Sequence, residues 1–244
     1  IECEKTAPYR YYIENVDDMK SDGIENWLLS TYSVSNALIE SKSIKDRIIL
    51  EDVPSGREYL EPILESMKIN RFIHITYYNY RRDDLREHYL MPLCIKLFRQ
   101  RWYMVGRQWP SGNDTIYSLD RIRGFRLSSH SFEYPKDFNP QEYFAGCFGI
   151  IAATDCDIQK VRLKVNSGQA NYLRDLPLHE SQRETERTDE YSIFEYHLRP
   201  TFDFQQEILW NGEDVEVLEP LWLRKEITGK IMRMWNKYNK EELV

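Results

Sequence analysis

Most of the signatures that tie a chain to a familiar chemistry are missing from this one. Its 244 residues hold four cysteines, Cys3, Cys94, Cys147 and Cys156, scattered and without a Cys-x-x-Cys pair. Those spacings match no zinc site, and a chain of this length needs no disulfide staples, so reduced cytoplasmic thiols are expected, with Cys94 as a small core residue between Leu93 and Ile95. There is no apolar run of about 18 residues, which excludes a helical membrane span. No basic-then-apolar signal segment opens the chain. It starts at Ile1 rather than Met, and the polypeptide is expected to continue upstream. Gly-x-Ser-x-Gly, a glycine-rich phosphate loop and His-Glu-x-x-His are all absent, and the five histidines (74, 88, 130, 179 and 197) have no ligand spacing. The expectation is therefore no enzyme, no catalytic residue, no metal and no cofactor. No fixed-period repeat is visible.

What is present is aromatic and unevenly charged. Seventeen Tyr, ten Phe and six Trp accompany a 41% hydrophobic share and 30% charged residues, enough for real cores under a polar surface. Between Arg71 and Arg126 stand eleven Arg/Lys and five Asp/Glu, a balance of +6 in a chain whose total is −7, leaving −13 for the remainder. A basic island in an acidic chain focuses an anionic ligand onto one region.

Pattern divides the chain into a helical connecting region (1–69), a strand-rich region (70–133), a linker with a short helix (134–157) and a C-terminal domain (158–244). Helices are predicted over 22–40, capped by Asp22, ended by 41–43 and striped with Ile24, Trp27, Leu28, Leu38 and Ile39, and over 57–68, with Tyr59, Leu60, Ile63, Leu64 and Met67 apolar and Glu58, Glu61 and Glu65 wet. A short β-like run is read at 47–50 before the turn at 54–56. From Arg71 the period drops to two. Strands are predicted at 72–77, 86–98, 102–109, 115–119 and 123–128, with Pro92 marking an edge position or a bulge, and five short strands with short turns predict a small, bent antiparallel barrel. Asn139 can cap a helix at 140–144 with Pro140 at its first position. Residues 146–155 read as a linker and a plausible hinge. The last stretch reads strand 158–165, helix 167–174, strands 178–185 and 191–198, a helix capped by Thr201 through Trp210, strand 215–218, and a helix opened by Pro220. That β-α-β-β-α-β-α order predicts a ferredoxin-like domain with an added helix, making the whole α+β.

The runs Ile75-Thr76-Tyr77, Pro92-Leu93, Trp102-Tyr103-Met104-Val105-Gly106 and Leu119-Asp120-Arg121-Ile122 resemble the WYL domain of bacterial transcriptional regulators, with Met104 in place of the Leu of the Trp-Tyr-Leu triplet, a volume-conserving change. The region after Ile158 resembles the WCX extension that follows many WYL domains, and Tyr9–Ile13 with the helices to Met67 resembles the connecting region. The resemblance covers nearly the whole chain. It implies an Sm-like, SH3-type barrel that senses single-stranded nucleic acid or a nucleotide-like effector, a promoter-binding winged helix-turn-helix lying outside this chain, and a homodimer, since such regulators read paired half-sites. It departs from the family at Ser118, where an Arg is frequent, and at His88, where a basic residue is common.

The candidate ligand residues are Tyr77, Arg86, His88, Arg101, Tyr103, Arg121 and Arg123. Guanidinium grips phosphate with two hydrogen bonds, and aromatic faces give bases a platform. Strand parity places Trp102 and Met104 on the core face and Arg101, Tyr103 and Val105 on the other. His88, with an ordinary pKa of about 6.5, would make phosphate affinity depend on pH. Structural roles compete at each position. Tyr77 and Trp102 suit a strand core, Arg121 has Asp120 beside it, and Arg81, Arg82 and Arg86 lie among Asp83, Asp84 and Glu87 as at a solvated hairpin tip. Trp210, Trp222 and Trp235 suit core or dimer packing, and Ile227, Ile231, Met234 and Trp235 form a candidate dimer contact. Two other readings stay open: a dimerisation or protein-interaction module with no nucleic-acid ligand, and a nucleic-acid-processing enzyme.

Overall fold

The computed structural model describes residues 2–3, 11–12, 23–40, 44, 47–49, 56–152 and 156–239. The chain divides into two compact units, Ile1–Asp52 and Val53–Val244. In the first, β1 (Glu2–Cys3) pairs antiparallel with β2 (Tyr11–Tyr12), and α1 spans Gly23–Glu40. The Asp22 cap, the break at 41–43 and the side chains of Ile24, Trp27 and Leu28 lie outside the described residues. Leu38 is half-buried and Ile39 exposed.

The second unit opens with α2 (Arg57–Lys68). Its helical spacing buries Ile63, with Tyr59, Leu60 and Met67 packed on the same core, while Glu58, Glu61 and Glu65 face water. Leu64 is left exposed. Five strands follow: β3 (Arg71–Asn79), β4 (Asp84–Phe98), β5 (Arg101–Gln108), β6 (Asp114–Ser118) and β7 (Ile122–Ser131), the last two joined by a 3₁₀ turn, Leu119–Arg121. They form one antiparallel sheet in the order β6-β5-β4-β3-β7. The inner face of β3 places Ile73 and Ile75 against Leu90, Met104, Tyr117, Leu119 and Ile122 under α2. Each such buried aliphatic side chain stabilises by about 1.5–3 kcal/mol.

The expected barrel does not close. β6 and β7 are the two edges of an open sheet. Where β6 ends, the Ser118 N–H donates to the Tyr77 hydroxyl (3.2 Å) rather than to a strand, and the chain turns through its 3₁₀ residues into β7. Pro92 sits at a bulge, the register shifting between Pro92 and Cys94, but β4 is the central strand, so the edge alternative fails.

Beyond β7, the Asn139 side chain accepts from the Gln141 and Glu142 N–H groups and caps α3 (Pro140–Tyr143). Residues 146–152 are strapped down: Lys96 Nζ donates to the Gly149 carbonyl (2.6 Å), and the Ile150 and Ile151 N–H groups donate to Asp203 Oδ2 (2.9 and 3.2 Å).

The C-terminal domain comprises β8 (Gln159–Asn166), α4 (Ser167–Asp175), β9 (Arg183–Arg187), β10 (Tyr191–Leu198), α5 (Phe202–Trp210), β11 (Val215–Glu219) and α6 (Leu221–Tyr238). Its sheet runs β11-β8-β10-β9, the ferredoxin-like order, over a core of Val161, Leu163, Phe194, Tyr196, Phe204 and Leu223. β9 starts later than expected. The Gln182 side chain accepts from the Leu178 N–H and donates to the Leu173 carbonyl, tying 178–182 into a loop. Thr201 occupies the N-cap position of α5 without a capping bond, because its hydroxyl donates to the Asp203 carboxylate. The core alternative for the three tryptophans fails: Trp210 is 86% exposed, Trp235 64% and Trp222 42%. They sit on the outer faces of α5 and α6, beyond reach of the core. No helix among the described residues is long and apolar enough to cross a membrane.

Candidate ligand cleft

Tyr77 of β3, on the face shared with Ile73 and Ile75, and Tyr103 of β5, on the face opposite Met104, meet at one place, and the 3₁₀ turn after β6 brings Arg121 there. The three line a cleft of about 390 Å³ together with Ser118, Tyr143 of α3 and the strapped residues 150–152. Parity holds on β5: Met104 is buried in the core under α2 with Trp102 packed on it, while Val105 faces the second small core and Tyr103 the cleft.

The cations around the cleft differ in what already holds them. Arg101 is paired with Asp120, whose carboxylate also accepts from the Ser118 hydroxyl. Burial works to raise the Asp120 pKa, but Ser118 and Arg101 outweigh it and hold the carboxyl below its ordinary range. Arg107 grips Asp114 with two bonds (2.7 and 3.0 Å) and reaches Asp137 at 3.3 Å, so the acid on the cleft wall is neutralised. Arg121 lies over the exposed Tyr80 ring, 4.1 Å from its centroid, and its buried Nε, like that of Arg101, has no hydrogen-bond partner. Asp120, its sequence neighbour, is committed to Arg101 instead. An anion entering the cleft meets the Arg121 guanidinium together with three tyrosine rings of the same lining. Burial raises the Tyr77 pKa, against the Ser118 amide and Arg121, so its hydroxyl stays neutral.

Of the seven candidates, the cleft brings together Tyr77, Tyr103 and Arg121. Arg101 stands beside it, tied to Asp120. Arg123 is exposed, donates to the Asp120 and Ile122 carbonyls (2.7 and 3.0 Å) and lies near the Tyr78 ring. Arg86 is exposed and pairs with Asp84 (3.0 Å) at the hairpin tip. His88 meets Tyr77 and Tyr117 edge-on (6.2 and 5.2 Å) and does not line the cleft. Burial, with Arg86, lowers its pKa, so the imidazole is neutral at pH 7.

Sequence reasoning missed Ser118 as a cleft residue, Tyr143 and the segment 150–152. The signal was there in part: Ile150-Ile151-Ala152 is too apolar for a free linker. Among the described residues, no group of three or more His, Cys, Asp and Glu side chains stands close enough to hold a metal.

The family model for the WYL domain matches residues 58–127, taking in α2, and that for the WCX domain matches residues 157–235. No curated protein matches the chain. Among solved structures it is similar to the proteasome accessory factor B/C (PafBC) of Arthrobacter aurescens, at 16% identity and a TM-score of 0.36 over 76% of this chain and 28% of that one. It is also similar to a CRISPR Cas-related protein, at 15% identity and a TM-score of 0.47 over 77% of this chain and 54% of that one. The chain thus spans between 28% and 54% of the length of these two structures.

Proposed function

We propose that this chain, which carries a WYL domain followed by a WCX domain, is the effector-sensing part of a bacterial transcriptional regulator and is not an enzyme. The cleft of Tyr77, Tyr103 and Arg121 binds a nucleotide or a single-stranded nucleic acid. Ligand bound there moves the strapped residues 150–152, and through Asp203 the C-terminal domain, biasing a promoter-binding domain elsewhere in the regulator. The observation that carries this reading is the convergence of Arg121 with Tyr77, Tyr103 and Tyr143 on one cleft, while Arg101 and Arg107 are held in ion pairs by Asp120 and Asp114.

The regulator works in the cytoplasm as a homodimer. Ile231, Met234, Trp235 and Tyr238 recur at helical spacing along one side of α6 and are all exposed, which supports contact with a second copy there. Ile227 does not belong to that contact, since it is buried in the domain core.

The test is a titration with fluorescent single- and double-stranded oligonucleotides at several salt concentrations, using the wild type, Tyr103→Ala and Arg121→Ala. Single-strand preference that falls with salt and weakens in both variants is expected, with a stacked base lost in Tyr103→Ala costing about 1–3 kcal/mol. Binding unaffected by both substitutions sinks the reading and leaves the protein-interaction module in its place.

A further inference from the structure

The sheet has a second feature that the ligand cleft does not use. β7 pairs with β3 along one side and is the sheet's edge on the other. Over Gly124–Leu127, where its register with β3 is regular, that edge offers backbone donors and acceptors to an incoming chain; towards Ser131 the register shifts and the His130 N–H donates to Ser128 Oγ (3.1 Å). β7 carries Arg123, Arg126 and His130 and no acidic residue. At its end lies a separate cleft of about 520 Å³, lined by Phe72, Tyr89, Trp109 and Phe132 with His130 and Glu133 at its margin. Both walls of that cleft are set by backbone bonds: the Trp109 N–H donates to the Tyr89 carbonyl (2.9 Å), and the Phe132 N–H to the Asn70 carbonyl (2.8 Å). Trp109 nonetheless remains 55% exposed.

We infer that the β7 edge binds an extended acidic segment of a partner protein, which adds a sixth strand and places an aromatic or aliphatic side chain in the cleft at its end. The alternation of β7 sets the pattern. Arg126 and His130 share one face, opposite the side that carries Phe125 and Leu127, and Leu127 is 44% exposed. A paired strand therefore carries acids four residues apart, facing Arg126 and His130, with apolar residues over Leu127 on the other face. Main-chain bonds supply affinity and the alternate side chains supply specificity. Nucleic acid suits this surface less well, because an incoming strand satisfies both the N–H donors and the carbonyl acceptors of the edge, whereas phosphate can take only the donors.

The test is to select random peptides about as long as β7 on the chain and titrate the enriched sequences, fluorescein-labelled, against the wild type, Arg126→Glu, Trp109→Ala and Arg121→Ala. Enrichment of acidic residues four apart, with apolar residues at intervening positions, is expected. Binding should be weakened about tenfold or more by Arg126→Glu and by Trp109→Ala, left within about twofold by Arg121→Ala, and abolished by N-methylation of alternate peptide nitrogens. Failure to enrich any peptide, enrichment of basic sequences, indifference to both Arg126→Glu and Trp109→Ala, or displacement of the peptide by an oligothymidylate overturns the inference. Because Arg121 belongs to the other cleft, its variant separates a failure here from a failure of the ligand-sensing reading.

Discussion

Gly56 stands immediately before α2 at φ 65° and ψ 30°, and a Cβ built on it would lie 2.3 Å from the Leu119 carbonyl carbon and 2.4 Å from the Asp120 nitrogen. Both neighbours are backbone of the 3₁₀ turn that carries Arg121, so neither can swing aside. Gly56→Ala adds left-handed strain of about 1–2 kcal/mol to that overlap. A total loss of about 2–4 kcal/mol is expected in a denaturant titration, with weaker ligand binding because the Arg121 turn must shift. His88 gives the second prediction at this scale. Its pKa is depressed in the fold, so the unfolded chain binds more protons in the window below about 6.5. The stability it contributes is complete above the unfolded value and is lost as pH falls through the folded one. His179 is shifted the same way by burial. Thermal midpoints measured from pH 8 to pH 5 should therefore fall less steeply in His88→Gln than in the wild type, while keeping the part due to His179. An unchanged slope would show that His88 is not part of the acid sensitivity.

The strap at 146–152 shows an element whose structure depends on a residue far along the chain. Asp203, at the start of α5, accepts the Ile150 and Ile151 N–H groups, and the Gly149 position lies so close that a Cβ there would sit 2.2 Å from its Oδ2. Asp203→Ala removes a charged acceptor from two amides, an expected loss of about 1.5–3 kcal/mol. It should also raise hydrogen exchange at 149–152 and loosen that wall of the ligand cleft. Exchange at those amides as slow as in the wild type would rule out the strap. The same contact marks the limit of reading structure from sequence. Local signals carried far: helical spacing placed α2 at its observed ends, Asn139 caps α3, the β-α-β-β-α-β-α pattern yields the ferredoxin-like sheet, and parity sorted Trp102 from Tyr103. What local pattern did not carry were partners distant in sequence. The barrel was expected to close because strand count is local, whereas Tyr77 takes the Ser118 N–H across 41 residues and β6 stays an edge. Residues 150–152 read as linker because Asp203 lies 53 residues beyond Ile150. In the cleft, the pairing of Asp120 with Arg101 rather than with its sequence neighbour Arg121 is likewise a tertiary choice.

Across the whole second unit, the two domains share more than a covalent tether. Arg99, in the β4–β5 turn, pairs with the buried Glu207 of α5, and Phe148 stands between Phe98 of β4 and Phe204 of α5, with ring centroids 5.9 and 5.5 Å away. That chain of rings links the strand sheet to the ferredoxin-like core. One cooperative unfolding transition is therefore expected by calorimetry for the pair of domains. Phe148→Ala removes the middle ring. It should cost about 3 kcal/mol, in the lower part of the range for Phe→Ala because Phe148 is only partly buried, and it should split the transition in two. The ligand-sensing proposal then gains a readout at this scale. A nucleotide or oligonucleotide at a hundred times its Kd stabilises the state that binds it by about 2.7 kcal/mol. In the wild type that gain should lift the single transition as a whole, since the rings of Phe98, Phe148 and Phe204 couple the two domains. In Phe148→Ala it should lift only the transition of the strand domain, leaving the other where it stood. Were ligand to lift both transitions of the variant equally, communication would not pass through Phe148, and the strap and the separate Arg99–Glu207 pair would have to carry it.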